Sequence, residues 1–476
     1  MNDSAADLRA SLVTDLLARV AAWEAAMPPV AAHPSMAVEG ARLQEALGRF
    51  GERLGGSYPF FHARYAGQML KPPHPVALAA YAATAAINPN NHALDGGPAT
   101  SAMEQEAVAA LASMIGYDPA TCLGHLTSGG TVANLDALFI AREVAAAAGT
   151  TGGAVLHSAA AHYTHARMAH VLGMPSEAVS TDADGRMDVD DLDARLACGG
   201  VAVVVATAGT TGTGAVDPVD DILDVAARHG VRVHVDAAYG GFFALLARDP
   251  ESEGAALLGA DVCRHFAAIE RADSVVLDPH KHGLQPYGCG AVLFRDPHVA
   301  RFYAHDSPYT YFTAGLAGGG SSGRGLHLGE TTLECSRAGA AAAALWLTIE
   351  VLPLDARTGF GPILTACLRA ARTWQTAIEA STHLRAVGRP TLDIVAYHPA
   401  APAASAIDAA SAALFDAAQR ADLHTALFVT DSARLAATPD VPAARILRSV
   451  LMKPEHETHA AALVAELDAL AGVLAG

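Results

Sequence analysis

The chain has 476 residues, of which 51% are hydrophobic and 17% are charged, so it can bury a large core and is not a disordered tail. Its 49 acidic and 31 basic residues give a formal net charge of -18, and so negative a surface repels the phosphates of nucleic acids and of anionic membranes. Six cysteines are scattered without a CxxC pair, which argues against a disulfide scaffold and a zinc ribbon. We therefore expect reduced thiols, a cytoplasmic location, and neither nucleic acid nor a membrane as a partner.

Residues 1–75 are predicted to form an N-terminal helical arm. Helical sequence is followed by the irregular segment Gly55-Gly-Ser-Tyr-Pro-Phe-Phe-His62, whose glycines, proline and aromatic residues suit a loop packed on a neighbour. The first residues lack the basic and apolar segments of a signal peptide. We also expect no later stretch to stay apolar over the roughly 18 residues that a membrane span needs.

Residues 76–350 are predicted to form a large domain around a mainly parallel sheet. Apolar residues at helical spacing after Glu104 and over 134–148 predict two helices. Short apolar runs that alternate with helical sequence predict five strands, at 154–156, 201–206, 231–235, 274–277 and 291–294. Strands that are apolar on both faces and separated by helices form sheets covered on both sides, and ligands bind at the carboxyl ends of such strands.

Residues 351–476 are predicted to form a smaller C-terminal α/β domain. The Gly-rich stretch 315–325 separates the large sheet from an Ala-rich helix that begins near Arg337. After that helix, helical sequence alternates with two predicted strands at 391–396 and 426–429. The whole chain is therefore expected to have an α/β fold with one large and one small domain.

Two charged residues follow predicted buried strands of the large domain. Lys281 lies between two histidines, at a depth where a lysine without a function would be costly to bury. A lysine in this position can form a Schiff base with an aldehyde cofactor. Asp236 ends the preceding strand, and a carboxylate there needs a cationic partner such as a protonated pyridine nitrogen. Taken singly, each residue also fits an ordinary salt bridge at a strand end.

A small-residue turn and a histidine suggest further contacts to a phosphorylated ring. The turn Thr127-Ser-Gly-Gly-Thr131 precedes a helix, so backbone N–H groups and the Thr131 hydroxyl can approach a phosphate at the helix N-terminus. Such turns also serve as plain structural caps. His162 follows a strand, in a loop that opens a helix, where its flat imidazole could stack on a planar ring or act as a surface cap.

Four motifs occur together in order along the chain, and their conjunction is more specific than any one of them. They are Thr127-Ser-Gly-Gly-Thr-Val-Ala-Asn134, Ala206-Thr-Ala-Gly-Thr-Thr211, His234-Val-Asp-Ala-Ala-Tyr-Gly-Gly-Phe242 and Asp278-Pro-His-Lys-His-Gly283. In order and spacing they resemble the group II pyridoxal phosphate-dependent decarboxylases, over roughly residues 60–350. The resemblance implies pyridoxal phosphate as cofactor, fold type I (the aspartate aminotransferase-like architecture), and a homodimer whose subunits share their active sites.

The resemblance also implies a role for individual residues. Lys281 is similar to the Schiff-base lysine, Asp236 to the carboxylate that keeps the pyridine nitrogen protonated, and His162 to the histidine stacked over the ring. Residues similar to those that surround the ring or grip the phosphate are Thr207, Ala238, Gly129, Gly130, Thr131 and His280. Arg337 matches an arginine near the site, where it is expected to hold the substrate carboxylate.

Two segments are matched less closely. Asp278 stands where the aromatic decarboxylases usually carry Asn. A loop tyrosine of the partner subunit donates a proton to the substrate carbon in the family, and Tyr311 is the predicted donor, with Tyr309 as its alternative. His62 lies in the segment that lines the substrate pocket of relatives, although apolar packing of the arm explains that segment equally well.

We expect the protein to convert an L-amino acid to its amine and carbon dioxide. Two alternatives keep the same fold and cofactor: a decarboxylation that ends in an aldehyde, and a carbon-carbon lyase similar to sphingosine phosphate lyase, whose lysine motif resembles His280-Lys-His-Gly283. A non-enzymatic protein of this fold would need neither Lys281 nor Asp236. A metal site at His162 and His165 lacks a third ligand nearby, so no metal is predicted.

Overall fold

The computed structural model describes residues 5–303, 328–435 and 437–475. The chain begins with two helices, α1 (Ala5–Ala25) and α2 (Gly40–Gly55). The helices of the large domain are α3 (Pro75–Ile87), α4 (Pro98–Ile115), α5 (Gly130–Ala147), α6 (Thr164–Val171), α7 (Val189–Leu196), α8 (Val219–His229), α9 (Ala244–Ala247), α10 (Glu253–Leu258), α11 (Ala260–Ala268) and α12 (Gly339–Val351). Short 3-10 helices are Pro34–Met36, Gly241–Phe243, Ile269–Arg271, Pro297–Phe302, Leu328–Thr331 and Ser432–Arg434.

Among the described residues of the large domain, seven strands form one sheet. They are β1 (Leu123–Thr127), β2 (Ala154–Ser158), β3 (Ser176–Val179), β4 (Val201–Thr207), β5 (Arg232–Asp236), β6 (Ser274–Leu277) and β7 (Gly290–Phe294). Their order is β1-β7-β6-β5-β4-β2-β3, and every neighbouring pair is parallel except the two that contain β7. The predicted mainly parallel sheet is confirmed. Four of the five predicted strands lie within β2, β4, β6 and β7, and the fifth, at 231–235, begins one residue before β5. The sequence prediction missed β1 and β3, because these short segments carry polar residues instead of a continuous apolar run.

A smaller, fully antiparallel sheet lies near the C-terminus. It consists of β8 (Leu384–Ala386), β9 (Ile394–Pro399), β10 (Ala426–Asp431) and β11 (Ala443–Val450) in the order β10-β11-β9-β8. The helices of this part are α13 (Phe360–Glu379), α14 (Ala404–Arg420) and α15 (His456–Ala475). A small C-terminal α/β domain was predicted, whereas its strands β8 and β11 were not. The predicted domain boundaries at residues 75 and 350 stay predictions.

Helix α15 corrects one expectation from the sequence. Its 20 residues are apolar enough, by length and composition alone, to cross a membrane, whereas no such stretch was expected. In the structure α15 packs on α13, and its residues Leu463, Val464 and Leu467 join Trp374 in the core of the small domain. These apolar residues therefore contribute to the packing of that domain.

The topology places polar residues from three strands beside one another. Strand register pairs Thr207 at the end of β4 with Asp236 at the end of β5, and Asp236 with Val276 of β6. Because these strands are parallel, their carboxyl ends share one edge, and the turn after β6 carries Lys281 to the same edge. Behind it, the sheet is packed between helices by residues such as Val235 and Leu277, which are fully buried.

A buried carboxylate anchors the chain where it leaves β4. Asp217 is fully buried, and its oxygens accept hydrogen bonds from the backbone N–H groups of Met187 and Thr207, both at 2.7 Å. Burial is the larger influence and raises the pKa of the Asp217 carboxyl to about 7, although the two amide donors oppose the rise. The protonated form is therefore favoured in the folded state more than in the unfolded chain.

This shift predicts a pH dependence of stability. The stabilisation from Asp217 is complete below about pH 4, the ordinary range of an aspartate, and is lost as the pH rises through about 7. We expect the free energy of unfolding to fall over this range by up to about 1.4 kcal/mol per pH unit from this group. Urea unfolding of the wild type and of Asp217→Asn between about pH 4 and pH 7 measures this change in the free energy of unfolding. A variant with an unchanged pH profile would show that another group titrates.

Candidate active site

A cavity of about 330 Å³ lies at the carboxyl ends of β4, β5 and β6. It brings together nine of the residues predicted from the sequence: Gly129, Gly130, Thr131, His162, Thr207, Asp236, Ala238, His280 and Lys281. Other residues that line it are Ser128, Val132, Asn134, Thr164, Gly209, Thr211, Tyr239 and Asp278. The carboxyl ends of the strands, where a ligand was expected to bind, thus form one cavity. The role of each residue in it stays a prediction.

Lys281 is held against the wall of the cavity by Asp278. The strand β6 ends one residue before Asp278, and a tight turn follows, in which the Lys281 backbone N–H donates to the Asp278 carbonyl at 2.8 Å. The Lys281 Nζ lies 3.0 Å from Asp278 Oδ2, and 20% of its side chain is exposed. Asp278 itself is buried. A primary amine is therefore fixed in direction while it stays open to the cavity.

Asp236 is an anion in a buried place. Burial opposes its ionisation, yet the hydrogen bond from His165 Nε2 at 2.9 Å, together with the charges of His165 and Lys281, holds the pKa of the carboxyl well below its ordinary value. The backbone N–H of Ala238 donates to the other carboxylate oxygen at 3.1 Å. The cavity thus contains a negative charge ready for a cationic partner.

Asn134 and His165, which the sequence prediction did not assign to the site, organise this anion. Burial lowers the pKa of His234 to about 3, so the imidazole is neutral, and its Nε2 lies 2.8 Å from Asn134 Oδ1. That contact turns the Asn134 amide group so that Nδ2 donates to the Gly130 carbonyl at 2.8 Å and faces Asp236 Oδ2 at 3.5 Å. The position of His165 three residues after His162 was visible in the sequence, but the sequence alone does not show that it contacts Asp236.

The turn before α5 is shaped to approach an anion closely. Gly129 has φ +146°, which favours glycine, and directly precedes Gly130, the first residue of the 18-residue helix. A Cβ at Gly290 of β7 would lie 2.7 Å from the Gly129 Cα, so only glycine lets β7 pass the turn this closely. The first N–H groups of the helix and the Thr131 hydroxyl line the cavity, as a phosphate requires.

The cavity also contains buried polar atoms that have no partner within the described residues. They are Thr207 Oγ1, Asp278 Oδ1 and His280 Nδ1. Buried polar atoms are usually hydrogen-bonded, so these atoms fit a ligand with polar groups of its own. These atoms fit a phosphorylated pyridine aldehyde, as do the Asp236 carboxylate, the Lys281 amine and the turn at Gly129 and Gly130.

His162 contributes a neutral ring to the cavity. Burial is the main cause that lowers the pKa of its imidazole, and Nδ1 lies 2.8 Å from the Thr164 hydroxyl. The ring is half-buried and lines the cavity together with Ala238. A flat uncharged surface is what the predicted stacking on a cofactor ring needs.

Two other predicted residues, Arg337 and His62, are not among the described residues that line the cavity. Arg337 is buried in an ion pair with Glu104, donates to the Leu126 carbonyl at 2.7 Å, and is not among the described residues that line the cavity. His62 is exposed, and its Nδ1 accepts a hydrogen bond from the backbone N–H of Arg64 at 3.1 Å. Tyr311 and its alternative Tyr309 lie outside the described residues. The substrate roles of all of these stay predictions.

The small domain also reaches the loop that lines the cavity. Arg448 of β11 is buried, donates to the carbonyl of Thr211, and donates to Gln68 Oε1 at 2.7 Å. Because Thr211 lines the cavity, one side of it is supported by β11. Nothing in the sequence near Arg448 indicated this contact.

Comparisons with known proteins agree with this chemistry. The family profile described as the pyridoxal-dependent decarboxylase conserved domain matches residues 58–398. L-2,4-diaminobutyrate decarboxylase from Rhizobium meliloti (strain 1021) is 39% identical over 233 residues, which are 47% of this chain and 44% of that protein. The L-tyrosine decarboxylase of Enterococcus faecium is 30% identical over 420 residues, 70% of this chain and 67% of that protein. The chain therefore spans less than half the length of the first relative.

A solved structure shares the fold over almost the whole chain. The crystal structure of mouse CSAD in apo form matches with a TM-score of 0.75 and 22% identity, covering 97% of this chain and 98% of that one. At this identity the likeness concerns the fold. The predicted α/β architecture with a large and a small domain is confirmed.

The close approach of Gly130 to Asp278 leads to a testable expectation. A Cβ at Gly130 would lie 2.6 Å from Asp278 Oδ2, so Gly130→Ala displaces the carboxylate that fixes Lys281. We expect at least a tenfold weaker affinity for pyridoxal phosphate, measured by titration of the bound cofactor's visible absorbance. Gly51→Ala in α2, where nothing lies within 4 Å of the new Cβ, is the matched control. Equal affinities of the two variants would contradict the expectation.

Proposed function

Because the chain belongs to the pyridoxal-dependent decarboxylase family, we propose that it removes the carboxylate of an L-amino acid as carbon dioxide and leaves the corresponding amine. Pyridoxal phosphate is its cofactor, and it is an enzyme of the carboxy-lyase class. The single observation that carries the proposal is the placement of the Lys281 amine and the ionised Asp236 carboxylate in one cavity that also contains a phosphate turn.

Different residues of the cavity would contact different parts of pyridoxal phosphate. The turn of Gly129, Gly130 and Thr131 would hold the phosphate at the N-terminus of α5, and Asp236 would hold a proton on the ring nitrogen. When bound, the cofactor supplies an aldehyde for amines and a protonated ring that accepts the electron pair of the broken bond. His162 and Ala238 provide flat or small surfaces on which such a ring can be confined.

The protein's contribution to the reaction is electrostatic and geometric. Asp236 keeps its charge because His165 donates to it, so it would stabilise a positive charge on the ring nitrogen of bound pyridoxal phosphate. Lys281 is directed into the cavity by Asp278 Oδ2 at 3.0 Å, which orients the amine before a ligand arrives. His162, which lines the cavity, would help to hold the substrate in the orientation that its bond cleavage requires.

The alternatives share these contacts but are less well supported. An aldehyde-forming enzyme or a carbon-carbon lyase would need the same Lys281 and Asp236, so the cavity alone does not separate them from an amine-forming decarboxylase. The names of the relatives favour a decarboxylase, because the activities in them are decarboxylations of diaminobutyrate and of tyrosine. We therefore propose the amine as product, with Tyr311 as the donor of the proton that replaces the carboxylate.

An assay of all products tests the proposed reaction. We expect release of carbon dioxide and an equal amount of amine from one member of a set that includes L-2,4-diaminobutyrate, L-tyrosine and L-aspartate. Aldehyde and hydrogen peroxide are measured in the same samples, and their formation in place of amine would contradict the proposed outcome. Activity that is lost on removal of pyridoxal phosphate and restored by its addition connects the reaction to the cofactor.

The same assay tests the role of Asp236. An amide cannot hold the ring proton, so we expect Asp236→Asn to lower kcat at least a hundredfold while the protein stays folded. Asp190→Asn, at an exposed position in the first turn of α7, is the matched control and should keep wild-type turnover. Turnover of Asp236→Asn near that of the control would mean that the carboxylate has only a structural role.

We further propose that the enzyme is a cytoplasmic homodimer with shared active sites. Helix α2 exposes one apolar face, on which Leu43, Leu47, Phe50 and Leu54 are 43%, 52%, 61% and 57% exposed. Their spacing places them on one stripe, which a monomer would leave in water. The exposed stripe supports a dimer, in which a second copy would bury it, and six free cysteines agree with a reducing compartment.

Charges on this stripe should separate the subunits. We expect Leu47→Glu combined with Phe50→Glu to convert a dimer into monomers, because two carboxylates would have to be buried in the interface. Sedimentation velocity measures the change. Arg49→Gln on the same helix, whose side chain is 62% exposed and pairs with Glu45, is the control and should stay dimeric. A dimer that survives the double change would place the interface elsewhere.

A further inference from the structure

A second cavity, of about 440 Å³, lies between the two domains and is rich in arginine. The large domain lines it with Asp184, Arg186, Thr213, Ala215, Val216, Leu258, Val262 and His265. The small domain and α13 line it with Arg372, Val387, Gly388, Arg389, Pro390, Thr391 and Arg434. We call it the arginine cavity. Among the described residues that line it, four are arginines and one, Asp184, is a carboxylate, in a chain whose net charge is -18.

Most of this positive charge has no counter-charge in the described part of the chain. Arg186 pairs with Asp182 at 2.9 Å and with Asp261 at 3.3 Å, so its charge is compensated. Over residues 5–303, 328–435 and 437–475, no carboxylate lies within 4.0 Å of the other three guanidinium groups. Unpaired guanidinium groups that converge on a cavity from separate elements are the arrangement that binds carboxylates and phosphates.

Two of these side chains are built into the wall of the cavity. Arg434 Nε is buried without a hydrogen-bond partner among the described residues, and its guanidinium packs on Gly185, where a Cβ would lie 3.1 Å from Nη1. Arg372 donates to the carbonyls of Pro390, of Leu257 at 2.9 Å and of Thr391 at 3.2 Å. Burial lowers the pKa of the Arg372 guanidinium, and the charge of Asp393 opposes this only in part.

A buried histidine provides an independent sign of a ligand. His265 is 1% exposed and lines the arginine cavity, and its Nδ1 has no hydrogen-bond partner among the described residues. Leaving such an atom without a partner costs free energy unless a ligand or water satisfies it. Apolar side chains such as Leu258 and Val387 complete the wall, so the cavity suits a molecule with both charged and apolar parts.

One short loop separates the arginine cavity from the catalytic cavity. Gly209 and Thr211 line the catalytic cavity, whereas Thr213 and Ala215 line the arginine cavity. The loop is tightly bonded: the Gly209 N–H donates to the Ala215 carbonyl at 3.1 Å, and the Ala215 N–H donates to Thr210 Oγ1 at 3.0 Å. These hydrogen bonds connect the residues that line one cavity with those that line the other.

We propose that the arginine cavity binds a small organic anion carrying carboxylate or phosphate groups, and that this binding is coupled to the catalytic cavity through the loop 208–216. Arg434, Arg389 and Arg372 neutralise the anion, while His265 Nδ1 takes part in a hydrogen bond with it. The site is separate from the contacts of pyridoxal phosphate, and neither its binding nor its coupling requires that the enzyme form an amine.

Binding is tested by calorimetric titration of the holoenzyme at constant ionic strength. Citrate is the carboxylate probe, and inorganic phosphate in a second series distinguishes the two anion chemistries. We expect one site per chain for at least one probe, and at least tenfold weaker affinity in Arg434→Gln. Arg420→Gln at the exposed end of α14, outside the cavity, removes the same charge and should bind as the wild type does. Equal affinity of the two variants, or no binding of either probe, would overturn the site.

Arg389→Gln, at an exposed position of the cavity rim, repeats the test if Arg434→Gln lowers the thermal stability. Coupling is measured separately, as the dissociation constant of pyridoxal phosphate with and without the bound probe. Because coupling between two sites is reciprocal, we expect a change of at least twofold in the wild type and none in Arg434→Gln. A probe that binds through Arg434 but leaves cofactor affinity unchanged would refute the coupling.

Discussion

The hydrogen bond from His165 to Asp236 is the interaction on which the rest of the site depends. A carboxylate buried at the end of β5 would take up a proton if nothing compensated its charge, and a neutral acid could not hold a proton on a cofactor ring. His165 Nε2 at 2.9 Å supplies the compensation, and the Ala238 N–H adds a second donor. The helix α6 therefore helps to keep the Asp236 carboxylate ionised, although His165 is not among the described residues that line the cavity.

The two ends of the site are mechanically connected. His234 orients the Asn134 amide, which faces Asp236 on one side and donates to the Gly130 carbonyl on the other. One side chain on α5 thus bridges the Asp236 carboxylate and the turn at Gly130. Such a bridge between two walls of a cavity makes the cavity more rigid.

The sequence predicted the features that depend on local pattern. Strands such as β4 and β5 are apolar on both faces, and the carboxyl ends of parallel strands must meet, so Lys281 and Asp236 could be placed together. Strand β11 was not predicted because arginines such as Arg448 interrupt its apolar residues. The partners of His165 and Arg337 are fixed by tertiary packing between distant segments, which no local pattern contains.

The strand order of the large sheet also determines when the site can assemble. Strand β1, which leads directly into the phosphate turn, pairs with β7 and not with its sequence neighbour β2, so that Leu123 lies opposite Phe294. Loops of this length close slowly, and a chain emerging from the ribosome lacks β7 until most of the large domain has been made. The β1–β7 pair beside the turn at Gly129 can therefore form only after residue 294 has been synthesised, so the last wall of the cavity depends on a segment made late.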